Sequence, residues 1–214
     1  MSNTLIYILI AVGAYLIGNI NPAIIIGKLN GIDIRKEGSG NAGMTNTIRV
    51  IGLGAGIAVF AIDVLKAFAS VSLGTLISGN VIGGMVAFAS VVLGHCYPAL
   101  YGFKGGKGVA ASLGAAIALN WQSALLALAV AGIVFLVSGK RMSIASIVAV
   151  ISYPIFVYFI VGDMKLLIFS IAAVLFLIIQ HTANIKRIAH GEEESLTIGH
   201  KAKDNKENKE ESAE

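Results

Sequence analysis

Long apolar runs, separated by short polar and basic segments, make up most of this 214-residue chain. Leu5 to Gly27 carries no charge and, at about 1.5 Å per residue, is long enough to cross ~30 Å of hydrocarbon as a helix. A polar stretch from Lys28 to Arg49 follows. A second run then extends from Gly52 to Ile77, interrupted by Asp63 and Lys66, and a third, uncharged, from Val81 to Tyr101. Positions 108–139 contain no charge, yet as one helix they would measure about 48 Å, too long for one untilted crossing. Asn120-Trp121-Gln122 interrupts them, which predicts a hairpin of two short helices, the first from Val109 to Leu119. Ile144 to Val161 and Leu166 to Gln180, the latter uncharged as far as Ile185, complete the set. The pattern predicts an all-α integral membrane protein of seven transmembrane helices.

Composition agrees, with 56% hydrophobic and only 13% charged residues against about 25% in soluble domains. Basic side chains concentrate on one side of the predicted bundle. Lys28, Arg35, Lys36, Arg49, Lys104, Lys107, Lys140 and Arg141 fall in its three loops, and Lys186, Arg187 and four further lysines follow the last span. The other side holds only Lys165. Positive loops face the cytoplasm, so the N-terminus is predicted outside and the C-terminus inside. Met1 to Thr4 has no cation and no small-x-small cleavage site lies between Gly18 and Gly27, so the first span is expected to be retained. Residues 1–190 are read as a single membrane domain and 191–214 as a polar cytoplasmic tail, charge-rich enough to be disordered. The lone Cys96 excludes an internal disulfide and a thiolate metal cluster.

Three segments on the basic side carry candidate chemistry. The first is GSGNAGMTNTIR, Gly38 to Arg49. Gly38, Gly40 and Gly43 fit G-x-G-x-x-G, but a dinucleotide fold requires a preceding strand and a βαβ unit, which a loop between two spans cannot supply. Its glycines instead allow backbone N–H groups to approach an anion. Ser39, Asn41, Thr45 and Asn46 add small donors, and Arg49 adds a fixed cation suited to phosphate. A helix beginning after the loop would favour the same anion.

The second segment, GFKGGKG, is not a Walker A loop, because Gly108 follows Lys107 where a hydroxyl residue is required. Lys104 and Lys107 nevertheless sit on a flexible backbone with Gly105, Gly106 and Gly108; taken alone, this segment reads equally well as an ordinary basic loop. In the third, HTANIKRIAHGEEE, His181, Asn184 and Arg187 recur every three residues and share a helical face at the membrane boundary. His181 there is a candidate for orienting or deprotonating a hydroxyl. Asp63 and Lys66, spaced i,i+3, read as a structural pair, and His95 and Cys96 as packing residues. Gly52/Gly56 and Gly79/Gly83 have the spacing of close helix contacts.

Together GSGNAGMTN with Arg49, HCYPALYGFKGGKGVA, and His181, Asn184, Gly191 and Glu193 resemble the PlsY family of acyl-phosphate-dependent glycerol-3-phosphate acyltransferases, in the family's order and across most of the chain. The resemblance implies a seven-span enzyme of the bacterial cell membrane with its motif loops facing the cytoplasm. It implies acyl phosphate and glycerol 3-phosphate as substrates, an acyl-phosphate-producing enzyme as a pathway partner, and no metal, nucleotide or other cofactor. It also places Ser39, Arg49, Lys104, Lys107, His181 and Asn184 in or beside the active site, with Ser39, His181 and Asn184 as catalytic candidates. The polar chain after Glu193 is assigned no catalytic role.

The residues suit that chemistry. Acyl phosphate is already activated, so holding two phosphorylated molecules in line can supply most of the acceleration. No Ser-His-Asp arrangement is evident, which favours direct attack by the glycerol 1-hydroxyl, with His181 or a substrate phosphate oxygen as base. A transporter of phosphorylated solutes is the rival from another class; it would place its site near the midplane and show internal repeats, and Lys66 is the residue in its favour. Acyltransferases of the H-x-x-x-x-D type and CDP-alcohol phosphotransferases need His–Asp or Asp–Asp spacings that this chain lacks.

Overall fold

The computed structural model describes residues 2–198. Among these the regular structure is helical: ten α-helices, one short 3-10 turn and no strand. Helix α1 (Asn3–Asn19) stops because Pro22 has no N–H to offer the Gly18 carbonyl. Asn21 then caps α2 (Pro22–Leu29), its side chain accepting from the Ile24 N–H at 3.1 Å. After a polar loop, α3 (Met44–Val50) leads through Gly52, at φ +129°, into α4 (Leu53–Ser78). Asn80 caps α5 (Val81–Cys96). Helices α6 (Val109–Leu119) and α7 (Trp121–Val137) meet at Asn120, whose extended backbone ends the first and whose side chain accepts from Ser123 N–H at 2.8 Å to start the second. The interruption expected at Asn120-Trp121-Gln122 is therefore present. Helix α8 (Met142–Ile160) precedes α9 (Met164–Gln180), which bends by 63° into α10 (Thr182–Ala189).

Four stretches, Asn3–Leu29, Leu53–Ser78, Val81–Tyr101 and Met142–Ile160, are long and apolar enough to cross a membrane, and α9 with α10 would make a fifth if the bent pair is one span. Helices α6 and α7 are apolar but shorter. Helix α6, at about 1.5 Å per residue, spans only about half of ~30 Å of hydrocarbon.

Apolar side chains cover the outside of the bundle, where Leu16, Leu76, Ile133 and Phe159 are all exposed, as a lipid-facing surface requires. Inside, small residues let backbones meet, since lipid supplies no hydrophobic drive between helices. A Cβ on Gly94 of α5 would lie 3.1 Å from the Gly18 Cα of α1, and one on Gly114 of α6 would lie 2.7 Å from the Val64 carbonyl carbon of α4. In each G-x-x-x-G pair one glycine makes such a contact. Gly56 packs on Ile48 and Gly83 on Ser78, whereas Gly52 and Gly79 sit in open space at helix ends with positive φ. A second, smaller apolar cluster of Ala23, Ile24, Ile34, Ala42, Val50 and Val59 underlies the first glycine loop.

The chain does not leave the bundle at residue 190. Leu196 N–H donates to the Lys140 carbonyl at 2.8 Å and Glu193 is buried, so residues 192–198 return across the ends of α8 and α10. Bonds from Asn184 and Arg187 offset the cost of taking the Glu193 carboxylate out of water. The expected tail therefore begins later than its charge pattern implies, and positions 199–214 of it lie outside the described residues.

Candidate active site

The two glycine-rich loops, the start of α8 and the α9–α10 joint surround a cavity of about 860 Å³. Gly38, Ser39, Asn41, Gly43, Thr45, Asn46, Arg49, Lys107, Gly108, His181 and Asn184 all line it, so most of the expected residues from all three segments converge there.

The first loop is built around Asn46. Fully buried, it donates to the Ile34 and Glu37 carbonyls, both at 2.9 Å, and accepts the Ser39 N–H at 2.9 Å. Its side chain thus shapes the loop more than it serves a ligand. Gly38 and Gly40, at φ +57° and +70°, take the left-handed turns that reverse the chain over it. The helix expected after the loop exists as α3, but its seven residues supply only a short dipole.

Arg49 projects from the end of α3. One guanidinium nitrogen donates to the carbonyls of Glu194 and Ser195 at 3.4 and 3.3 Å, and the Glu194 carboxylate lies 3.6 Å away. Its Nε is buried without a partner among the described residues. An anion entering the cavity would compete with these contacts and could satisfy that remaining donor.

In the second loop only Lys107 and Gly108 reach the cavity. The N–H groups of Gly105 and Gly106 donate back to the carbonyls of Cys96 and His95 at 3.1 and 3.2 Å, and this return turns Lys104 outward to solvent. Gly40, Gly105 and Gly106 likewise shape the loops without lining the space. Lys107 bonds the Asn184 side-chain oxygen. Burial first, and then the Arg187 cation, pull the Lys107 ammonium down to about 8; Glu193 opposes the shift and Arg49 adds to it.

At the joint, His181 Nδ1 lies 2.7 Å from the Leu177 carbonyl. A carbonyl can only accept, so Nδ1 carries the hydrogen and Nε2 keeps a free lone pair. Burial lowers the proton affinity of His181 and Lys107 adds to the effect, outweighing the opposing Leu177 bond and Glu193 charge. Asn184 Nδ2 donates to Ser143 Oγ at 2.6 Å and to Glu193 Oε1 at 2.9 Å, while Glu193 also receives Arg187 Nε at 2.9 Å. Burial pushes the Glu193 carboxyl up, but the bonds from Ser143, Asn184 and Arg187 outweigh it and hold the group below the usual carboxylate range.

Ser143, Ser146, Arg187 and the Glu192–Ser195 segment also line the cavity, outside the set of site residues expected from sequence, as do Asp63 and His95 from the membrane helices. Arg187 was legible, since it shares a helical face with His181 and Asn184. The only signal for Ser143 is its place at the start of a helix just after Lys140 and Arg141.

Fold and cavity together define a helical integral membrane protein with a cation-lined cleft where α8 begins and α9 ends. Its relatives sharpen this. The profile of the glycerol-3-phosphate acyltransferase family matches residues 8–191, and the chain belongs to that family. Glycerol-3-phosphate acyltransferases of Endomicrobium trichonymphae and Clostridioides difficile are both 41% identical to it, covering 91% and 89% of this chain and 98% and 95% of theirs. The crystal structure of PlsY, an integral membrane glycerol 3-phosphate acyltransferase, in its glycerol 3-phosphate form superposes with a TM-score of 0.83 at 36% identity, covering 89% of this chain and 96% of that one. The lysophosphatidic acid form of PlsY superposes with a TM-score of 0.80.

Proposed function

We propose that this enzyme transfers a fatty acyl group from acyl phosphate to the 1-hydroxyl of glycerol 3-phosphate, giving lysophosphatidic acid and phosphate. The observation that carries this is the convergence of Arg49, Lys107 and two glycine loops on one cavity that also holds His181. Two phosphorylated substrates need cations to be held side by side, and the acyl phosphate carbonyl needs no further activation. The PlsY structures with glycerol 3-phosphate and lysophosphatidic acid support substrate and product of this kind.

In the proposed step the 1-hydroxyl oxygen bonds to the acyl carbon, the bond from that carbon to the phosphate oxygen breaks, and phosphate leaves with the electron pair. The hydroxyl proton passes to His181 Nε2 or to a phosphate oxygen. Ser39 and Asn184 complete the catalytic set, with Asn184 holding Lys107 in place. Gly38, Gly40, Asn41, Gly43, Thr45, Asn46, Gly105, Gly106 and Gly108 form or support the cradle, and Lys104 draws anionic substrate toward its mouth. The step uses no cofactor, and an acyl-phosphate-producing enzyme feeds it.

Residues 1–190 form a single membrane domain in this reading, with residues 192–198 folded back onto its cavity. It has seven crossings (α1 with α2, then α4 to α9), the N-terminus outside, and the cavity facing the cytoplasm of a bacterial cell membrane. Helix α6 is a shortened crossing whose missing turns are replaced by the second glycine loop, and that loop brings the cavity floor into the membrane.

Purified protein mixed with palmitoyl phosphate and glycerol 3-phosphate tests the function. Lysophosphatidic acid and phosphate should appear in equal amounts without metal or nucleotide, and no acylated protein should accumulate. Folded protein that forms neither product would refute it.

A further inference from the structure

Asp63, Lys66 and His95 form a buried charged cluster for which the three motif segments give no reason. They are 1%, 9% and 3% exposed. The cluster originates in the break of the first span. Pro22 leaves the Gly18 carbonyl without its donor, and Ile24 N–H goes to Asn21 instead of the Ile20 carbonyl. Lys66 Nζ donates to both orphaned carbonyls, at 3.3 Å to Gly18 and 2.5 Å to Ile20. Asp63 Oδ1 lies 2.7 Å from Lys66 Nζ and 3.1 Å from His95 Nδ1. Charges inside a bundle are costly unless they satisfy polar groups or serve a site. Satisfying the broken helix also occupies Lys66, so the lysine is not available as a transporter's carrier charge.

From His95 the cluster reaches both glycine loops. The His95 carbonyl accepts the Gly106 N–H at 3.2 Å. A Cβ on Gly106 would meet His95 Nε2 on one side and, at 2.8 Å, the Ala42 carbonyl of the first loop on the other. That Ala42 carbonyl also accepts from Asn21 Nδ2 at 3.4 Å, at the break itself. One hub therefore ties the broken span to both loops. We infer that Asp63, Lys66 and His95 are positioning residues for acyl transfer, fixing the loop that carries Lys107 against the loop that leads to Arg49 so that donor and acceptor are held in line. The inference rests on the cavity being the acyltransferase site.

The test compares unchanged protein with His95→Ala, His95→Gln and the charge-neutral double variant D63N/K66M in detergent. It measures kcat, KM for glycerol 3-phosphate, and melting temperature. A misplacement of about 1 Å costs up to about 100-fold in rate, so His95→Ala should lose at least about 10-fold in kcat. Its KM should stay within about 3-fold, because Arg49 is untouched; a change of that size is under about 1 kcal/mol. His95→Gln, which can still bond Lys66 and Asp63, should recover most of the loss, and the double variant should fold and lose kcat. Unchanged kcat in folded His95→Ala would overturn the inference. So would a KM increase as large as the kcat loss, or failure of all three variants to fold, since each marks a merely structural role. If the unchanged protein makes no lysophosphatidic acid, function and inference fall together. If it turns over while His95→Ala keeps its kcat, only the inference falls.

Discussion

The two glycine-rich loops look alike in sequence and are held by different forces. In the first, Gly38 and Gly40 are required by backbone conformation: both have positive φ, and the loop wraps a polar core supplied by the Asn46 side chain. In the second, Gly102 and Gly108 at the two ends also have positive φ. The central Gly105 and Gly106 instead take ordinary φ values and are required by space, the first lying against the His95 and Cys96 carbonyls and the second between His95 and Ala42. Positive φ in an alanine costs about 1–2 kcal/mol, and at Gly38 the added methyl meets only side chains of its own segment. A methyl driven into another backbone forces two elements apart. The first loop is therefore locally shaped and forgiving, the second globally wedged and brittle.

Breaking the brittle loop should have the largest effect. Gly106→Ala should cost about 100-fold or more in kcat, since the Cβ separates His95 from Ala42 by a large fraction of an ångström. A steady-state assay on folded protein checks this. Gly38→Ala should be milder. It strains φ and crowds Asn46 Oδ1, which accepts the Ser39 N–H, but its Cβ meets side chains and no backbone of another element. We therefore expect at least about 1–2 kcal/mol of lost stability by thermal melt and only a several-fold fall in activity. If the two alanine variants behaved alike, the distinction between shape and space would fail.

Smaller still is the pH effect at Lys107, which sharpens the contrast because the cavity-facing cation of the second loop is a lysine that burial holds near neutrality, whereas that of the first segment is Arg49, charged throughout. The Lys107 ammonium titrates at about 8. The charge is present below that pH and lost above it, so kcat/KM, which reports the free enzyme, should fall as pH rises through about 8. Stability should move the opposite way. The unfolded chain keeps this proton up to 10.5, binding more protons than the folded one over that interval, so stability rises with pH between the two values. Lys107→Arg, charged throughout, should remove this alkaline fall.

Much of this contrast was hidden in the sequence. The all-helical fold, its long apolar helices and the Asn120 break were legible, since they follow from apolar run length, whereas the convergence of Arg49, Lys107, His181 and Asn184 was legible only through the family resemblance. Lys104 and Lys107 were indistinguishable there. Only the backbone bonds from Gly105 and Gly106 to the end of α5 decide which lysine turns inward. His95 read as packing because its partners, Asp63 and Lys66, lie about 30 residues earlier on another helix. The segment after Gly191 read as tail because its charges suggest water, whereas Glu193 finds Ser143, Asn184 and Arg187 waiting.

In the proposed reaction the first loop and Arg49 seat the phosphate of glycerol 3-phosphate, while the second loop aligns the reaction. The most direct test is the KM for glycerol 3-phosphate of Arg49→Ala beside that of the unchanged protein. A charge-assisted phosphate contact is worth about 1.5–3 kcal/mol, which predicts a rise of at least about tenfold in the folded variant. A KM that stays at the unchanged protein's value would contradict the account.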